Sequence, residues 1–107
     1  MVRCFEFDVP EGKTFDAINI YCPYVDYNEL PIDIRVYFDS GKKPKKAISS
    51  KNLIGELHPD MASVDVPVVG DNVKSVKIKI DTKIITKIDI RPLYKSMPLR
   101  GVKVRAL

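Results

Sequence analysis

The sequence lacks the residue combinations from which most catalytic and metal sites are built. Its 107 residues include one histidine (His58), two cysteines and no tryptophan. Nucleophile–histidine chemistry would have to use His58, and the chain has neither a Gly-x-Ser-x-Gly sequence nor a glycine-rich phosphate loop. One histidine and two distant cysteines are too few ligands for a transition-metal site. We therefore predict a protein that is not an enzyme and uses no cofactor and no metal.

Long hydrophobic runs are also missing. No apolar segment approaches the roughly 18 residues of a membrane-spanning helix, and acidic residues interrupt the N-terminal segment. We expect one domain over residues 1–107, without a membrane anchor or secretory signal, that is cytoplasmic when synthesised and available there for incorporation into a virion. In a reducing cytoplasm Cys4 and Cys22 are expected to be free, buried thiols; a disulfide is the alternative if their strands pair.

The segment 74–91 shows the strongest pattern that is present. Val76, Ile78 and Ile80 alternate with lysines, and Ile88 and Ile90 alternate with charged residues. A period of two with β-branched residues on one side is typical of a half-buried strand. The break near residues 81–85 predicts two strands joined by a short turn, with a bulge as an option.

The same alternation predicts further strands over residues 2–9, 15–22, 32–38, 64–68 and 102–106. In 32–38, the residues Ile32, Ile34, Val36 and Phe38 are expected to face inward. Pro67 is expected to confine its strand to an edge, Pro92 and Pro98 to bound an irregular loop, and residues 47–63 to form a helical turn or an edge strand. Seven to eight short strands predict an all-β fold, an antiparallel, jelly-roll-like β-sandwich. The Val-x-Ile-x-Ile run is similar to late strands of small jelly-roll modules of the galactose-binding-like kind, a resemblance of architecture that identifies no site residues.

Tyrosines give the first candidate binding site. Tyr21, Tyr24 and Tyr27 fall within seven residues, and Tyr37 points outward from the next strand by parity. A flat apolar ring with a hydroxyl suits sugars and protein partners. The alternative is that some of these rings cover the end of the sandwich.

The loop that carries these tyrosines also holds oxygen ligands. Asp26, Asn28 and Glu29 place three such side chains within four residues, which is the type of donor that Ca²⁺ prefers. The loop has no glycine of the kind found in calcium-binding loops, so side chains that bond their own backbone are the favoured interpretation.

A lysine-rich surface is the second candidate. The outward positions Lys77, Lys79, Lys87, Arg91, Lys103 and Arg105 would form one basic face if their strands shared a sheet. Such a face could follow phosphates, but the basic strands carry no aromatic platform for bases. A solvated face that protects the sheet against aggregation is the competing interpretation.

Charge is distributed unevenly along the chain. Residues 1–40 hold three basic and eight acidic side chains, whereas residues 41–107 hold fifteen basic and six acidic ones. The two parts could form complementary faces between copies, or acidic and basic strands could lie side by side within one sheet. We therefore predict a non-catalytic interaction or structural module that binds a protein partner, its own copies or a carbohydrate, as in an accessory component of a virus or phage particle. The alternative is a nucleic-acid-binding β-barrel that uses the lysine-rich face.

Overall fold

The structure is a computed structural model that describes residues 1–24, 26–41, 45–46, 57–58 and 61–107, and not the side chains of 27, 45–46, 57–58 and 61–62. Ten strands are present in this part of the chain. They are β1 (Val2–Asp8), β2 (Ala17–Pro23), β3 (Pro31–Asp39), β4 (Lys45–Lys46), β5 (Leu57–His58), β6 (Met61–Pro67), β7 (Ser75–Thr82), β8 (Asp89–Tyr94), β9 (Met97–Pro98) and β10 (Arg105–Ala106). A 3₁₀ turn spans Tyr27–Glu29.

The strands form two antiparallel sheets that pack as a β-sandwich. Sheet A has the order β10-β1-β7-β3-β4, and sheet B has the order β5-β6-β2-β8-β9. The consecutive strands β1, β2 and β3 therefore alternate between the sheets. The predicted all-β fold with two antiparallel sheets is confirmed, and the extra strands are two-residue pairings at the edges.

Alternation decides which side chains enter the core. Val76, Ile78 and Ile80 of β7 are fully buried, while Lys77 and Lys79 between them are exposed. Phe7, Phe15 and Phe38 pack together in the core. The Phe15 ring centroid lies 5.8 Å from that of Phe7 and 6.4 Å from that of Phe38. Buried apolar area of this kind is the dominant stabilising contribution, and it holds both sheets in fixed register.

Each end of the sandwich carries its own set of connecting loops. We call the end where β1 and β3 finish the upper end; it carries residues 9–16, 68–74 and the β8–β9 turn. The lower end, where β1 and β3 begin, carries residues 24–30 and 83–88. No helix in the described residues is long and apolar enough to cross a membrane.

Two predicted connections are wrong. The strands within 74–91 are not a hairpin, because β7 lies in sheet A and β8 lies in sheet B, so residues 83–88 cross between the sheets. The expected loop between Pro92 and Pro98 is instead the β8–β9 hairpin. Pro92 can lie inside β8 because it needs to supply only its carbonyl, which accepts the Leu99 amide at 2.9 Å.

Smaller corrections concern single residues. Ile32 was expected to face inward but is 47% exposed, because the register between β3 and β7 shifts between Pro31 and Asp33. The last strand shortens to Arg105–Ala106. Cys4 and Cys22 are both free and lie in different sheets; Cys22 is buried, whereas Cys4 is half-buried on the outside of sheet A. Most of the segment 47–63, left open in the prediction, lies outside the described residues.

Candidate binding surfaces

The structure distributes the four tyrosines over three places. Tyr21 is half-buried on the outer face of sheet B, and Tyr37 is half-buried on the outer face of sheet A. Tyr24 is 5% exposed at the lower end. Tyr27 begins the 3₁₀ turn, and its side chain lies outside the description. Tyr21 and Tyr37 are therefore on opposite outer faces and cannot act on one small ligand together.

The loop between β2 and β3 uses its acidic side chains locally. The Asn28 amide donates to Asp26 Oδ1 at 2.9 Å, and the Asp26 amide donates to Glu29 Oε1 at 3.3 Å. These bonds are an Asx-type turn that orders the 3₁₀ turn. The described residues contain no group of three or more histidine, cysteine or acidic side chains placed to hold a metal ion.

The six predicted basic residues are divided between the two sheets. Lys77, Lys79 and Arg105 belong to sheet A, and Arg91 belongs to sheet B. Lys87 and Lys103 are exposed in the connections that precede β8 and β10. The structure therefore does not bring the six together on one face.

Acidic and basic strands lie side by side in sheet A. Acidic side chains from residues 1–40 are therefore partly neutralised by basic side chains from residues 41–107. Glu6 of β1 lies opposite Lys77 of β7 on one side and Arg105 of β10 on the other. Arg105 Nη2 donates to Glu6 Oε1 at 3.2 Å and to Asp8 Oδ2 at 3.3 Å. The hydrogen bond to Glu6, followed by the charge of Asp8, raises the pKa of Arg105. These exposed pairs contribute little stability individually, but they attach the short strand β10 to β1.

The outer face of sheet A contains two neighbouring rows of like charge. We call this surface the charged face and define it by Asp33, Arg35, Lys77, Lys79 and Asp81. Lys79 lies directly opposite Arg35, and Asp81 lies directly opposite Asp33. Like charges directly opposite each other in a sheet are destabilising. The pairing of β3 with β7 therefore places a positive row beside a negative row. Ion pairs between Arg35 and Asp33 at 2.8 Å and between the Met1 ammonium group and Asp81 at 3.0 Å offset part of the repulsion.

A shallow depression lies where the two rows meet. It has a volume of about 260 Å³ and is lined by Val2 and by four charged residues, Asp33, Arg35, Lys79 and Asp81. Arg35 Nε donates to Asp33 Oδ2 at 2.8 Å; this bond, with a smaller contribution from Tyr37, raises the pKa of Arg35. Lys79 has no ion pair with any described residue. The depression thus combines an apolar wall with at least one ammonium group open to a partner.

The outer face of sheet B carries a different surface, which we call the polar strip. It consists of Asn19, Tyr21, Ser63, Asp65, Asp89 and Arg91, from three adjacent strands. The side-chain amide of Asn19 donates from Nδ2 to Ser63 Oγ at 2.9 Å and to Asp65 Oδ1 at 2.8 Å. The Arg91 guanidinium lies 5.9 Å from the centre of the Tyr21 ring and 3.6 Å from Asp89 Oδ2. Strand pairing thus holds an aromatic ring beside several fixed donors and acceptors.

A large open cavity lies at the upper end. It has a volume of about 760 Å³, and its lining includes Glu11, Lys13, Ser40, Asn72 and Lys74. A second cavity of about 230 Å³ shares Lys13 and Asn72 with it. Lys13 Nζ donates to the Arg100 carbonyl at 2.6 Å, so this lysine ties two loops together. The described lining residues carry charges of both signs.

Cys22 is a buried reactive side chain, and its surroundings are those of a core thiol. Its sulfur lies 3.6 Å from Thr86 Oγ1 and 3.6 Å from the Glu29 carbonyl. Burial raises the pKa of the Cys22 thiol, and the hydrogen bond to Thr86 opposes this effect only in part. A thiol with a raised pKa is a poor nucleophile at neutral pH. His58, which an enzyme would need, lies in β5, where side chains are not described.

Sequence reasoning missed the acidic members of the charged face. Asp33 lies in a strand that was predicted correctly, whereas Asp81 was expected in the break near residues 81–85 but belongs to β7. Their juxtaposition depends on the register of β3 against β7, and the two residues are 48 positions apart in the chain. Alternation identifies which side chains point outward and not which of them become neighbours. Comparison of the chain with protein-family models, with curated proteins and with solved structures finds no match.

Proposed function

We propose that this protein is a non-catalytic interaction module that binds a protein partner through the charged face. The observation that carries the proposal is the pair of like-charge rows, Arg35 with Lys79 and Asp33 with Asp81. Sheet stability does not explain this arrangement, because opposite charges across a strand pair are the favourable ones. The same sheet shows the favourable arrangement where Glu6 lies between Lys77 and Arg105. A partner with matching charges would compensate the repulsion in each row, and complementary charges would also steer and orient the encounter.

A larger assembly is the setting that we propose for such a module. An accessory component of a virus or phage particle, made in the cytoplasm, is one example of it, and fold class alone suggests it. The alternation of β1, β2 and β3 between sheets supports a jelly-roll-like connectivity.

Light scattering on a size-exclusion column tests the proposal. The mass is measured at low and at moderate salt, with and without a single-stranded oligonucleotide. We expect the oligonucleotide to leave the mass unchanged at both salt concentrations. Any mass above that of one 12.1 kDa chain should fall as salt rises, because salt screens contacts between exposed charges. A monomer that shifts only when the oligonucleotide is present would contradict the proposal and favour the nucleic-acid alternative.

Carbohydrate binding is a second candidate, and the polar strip favours it. Tyr21 offers one flat aromatic surface, while Asn19, Asp89 and Arg91 supply donors and acceptors around it. Sugar hydroxyls need both kinds of group, and a sugar ring can stack on a tyrosine. A glycan-array measurement with Tyr21→Ala tests this candidate, and Tyr37→Ala on the opposite face is the matched control. Binding that is lost with both variants, or with neither, would count against the polar strip.

A further inference from the structure

We infer that the partner of the charged face is a second copy of this chain, related by a two-fold axis that runs across the strands. The inference rests on the proposed function and specifies its partner and geometry. Its basis is that the charges of this face are complementary to those of a second copy rotated by half a turn. Among the strand pairings of the described residues, no other place has a row of each sign in neighbouring positions.

The geometry follows from strand spacing. Lys79 and Asp81 are two residues apart on β7, as are Arg35 and Asp33 on β3, so the two rows are separated by about 6.6 Å. A two-fold axis in the plane of the contact, perpendicular to the strands and midway between the rows, exchanges the rows. It places Lys79 over Asp81 of the second copy and Arg35 over Asp33. An axis along the strands would place each row over itself, which is repulsive.

The contact needs apolar area as well as charge, and the lower end supplies it. Val2 is 63% exposed beside Asp81, and Ile32 is 47% exposed beside Asp33. Ile84 and Ile85, in the connection just below, are 44% and 78% exposed. Exposed apolar side chains that lie near one another mark interaction sites. Because the two-fold axis passes between the charged rows, the charges occupy the centre of this contact and the apolar side chains lie at its margin. In the proposed arrangement these side chains adjoin the negative row and extend the contact beyond the charges.

The two signs favour a second copy over a nucleic acid. A phosphate backbone would be attracted by Lys79 and Arg35 but repelled by Asp33 and Asp81 within the same depression. A partner for this face must present both signs at the spacing of alternate residues in a strand. The chain's own charged face meets that requirement, and a two-fold contact uses it twice.

Charge reversal of each row gives a complementation test. The acidic variant carries Arg35→Asp and Lys79→Asp, and the basic variant carries Asp33→Lys and Asp81→Lys. Each variant alone would face itself with the same sign at all four positions of the two rows, and we expect its dimer dissociation constant to rise at least about a hundredfold. An equal mixture of the two is expected to form a heterodimer, detected as a mass shift by light scattering and by native mass spectrometry.

Two controls keep the result interpretable. Arg91→Asp reverses an exposed arginine on sheet B and is expected to leave the dimer unchanged. Circular dichroism and thermal unfolding establish whether both row variants fold. If one does not fold, the single substitutions Lys79→Asp and Asp81→Lys replace the double ones, because the proposed axis places Lys79 of one copy over Asp81 of the other.

The possible outcomes separate this inference from the proposed function. Restored association in the mixture, with none in either variant alone, supports the two-fold contact. Variants that each still associate, or a mixture that stays monomeric while the wild type associates, would overturn the inference and leave the interaction module standing. A wild type that is monomeric at low salt at every concentration tested would overturn the second copy as partner.

Discussion

Phe7 shows how a single side chain holds the two sheets together. It is fully buried, and its ring meets the Phe15 ring edge-on at 74° with centroids 5.8 Å apart. We predict that Phe7→Ala lowers the free energy of unfolding by about 3–5 kcal/mol, because it removes buried apolar area and leaves a cavity. Urea unfolding followed by circular dichroism measures the effect. Met97→Ala, which truncates a 68% exposed apolar side chain, is the control and should change stability by less than about 0.5 kcal/mol.

Cys22 gives stability a dependence on pH. Its pKa in the folded chain is raised above the ordinary value of 9.0, chiefly by burial. A raised pKa means that the unfolded chain loses this proton first as the pH rises, so the contribution is fully present below pH 9 and is lost through the raised pKa. We predict that the unfolding free energy of the wild type falls more steeply above pH 9 than that of Cys22→Ala.

Urea titrations of both proteins across that range provide the measurement. Cys22→Ala also leaves a small cavity, so the slopes with pH are compared and not the absolute stabilities. Parallel profiles for the two proteins would contradict the prediction.

At the scale of elements, the β8–β9 hairpin has a turn that its sequence does not favour. Lys95 and Ser96 both have positive φ, of 50° and 65°, as a two-residue turn between antiparallel strands requires. Glycine adopts this conformation without the steric cost that serine meets. We predict that Ser96→Gly stabilises the protein by about 1 kcal/mol. The melting temperature is the readout, and Ser75→Gly, at the first residue of strand β7, should have the opposite sign.

The strands were predictable where side chains alternate, and their partners were not. The buried residues Val76, Ile78 and Ile80 follow directly from a period of two. The neighbours of a strand depend on where the chain goes between strands, which is why β7 and β8 were wrongly joined as a hairpin. Ile32 was misplaced for a related reason, since a register shift beside Pro31 turns it outward and no local pattern announces it.

The same limit applies to the candidate surfaces. Outward positions such as Tyr37, Lys77 and Arg91 could be identified by parity, but whether they share a face depends on sheet order. The charged face exists because β3 pairs with β7, and its acidic half was therefore invisible in the sequence. The tyrosine and basic groups were predicted as clusters because proximity in sequence, or shared parity, was taken as proximity in space.

At the scale of the whole molecule, the distribution of cations limits binding to nucleic acid. Of the six basic residues, only Lys77, Lys79 and Arg105 share a sheet face, and Arg105 is already bound to Glu6 and Asp8. For a single strand, the logarithm of the binding constant falls against the logarithm of salt concentration with a slope of about −0.7 per neutralised phosphate. Arg35 lies on the same face but is bound to Asp33. Six converging cations would give about −4, whereas Lys77 and Lys79, which have no ion pair with a described residue, would give about −1.4.

We therefore predict weak oligonucleotide binding with a slope near the smaller value. Fluorescence anisotropy of a labelled single strand over a range of salt concentrations measures it. Lys77→Ala with Lys79→Ala should remove most of the residual binding, while Arg91→Ala, on the other sheet, should leave it unchanged. A slope near −4 that falls equally with substitutions on both sheets would mean that a strand can wrap around the sandwich, and the separation of the cations would then no longer argue against a nucleic-acid partner.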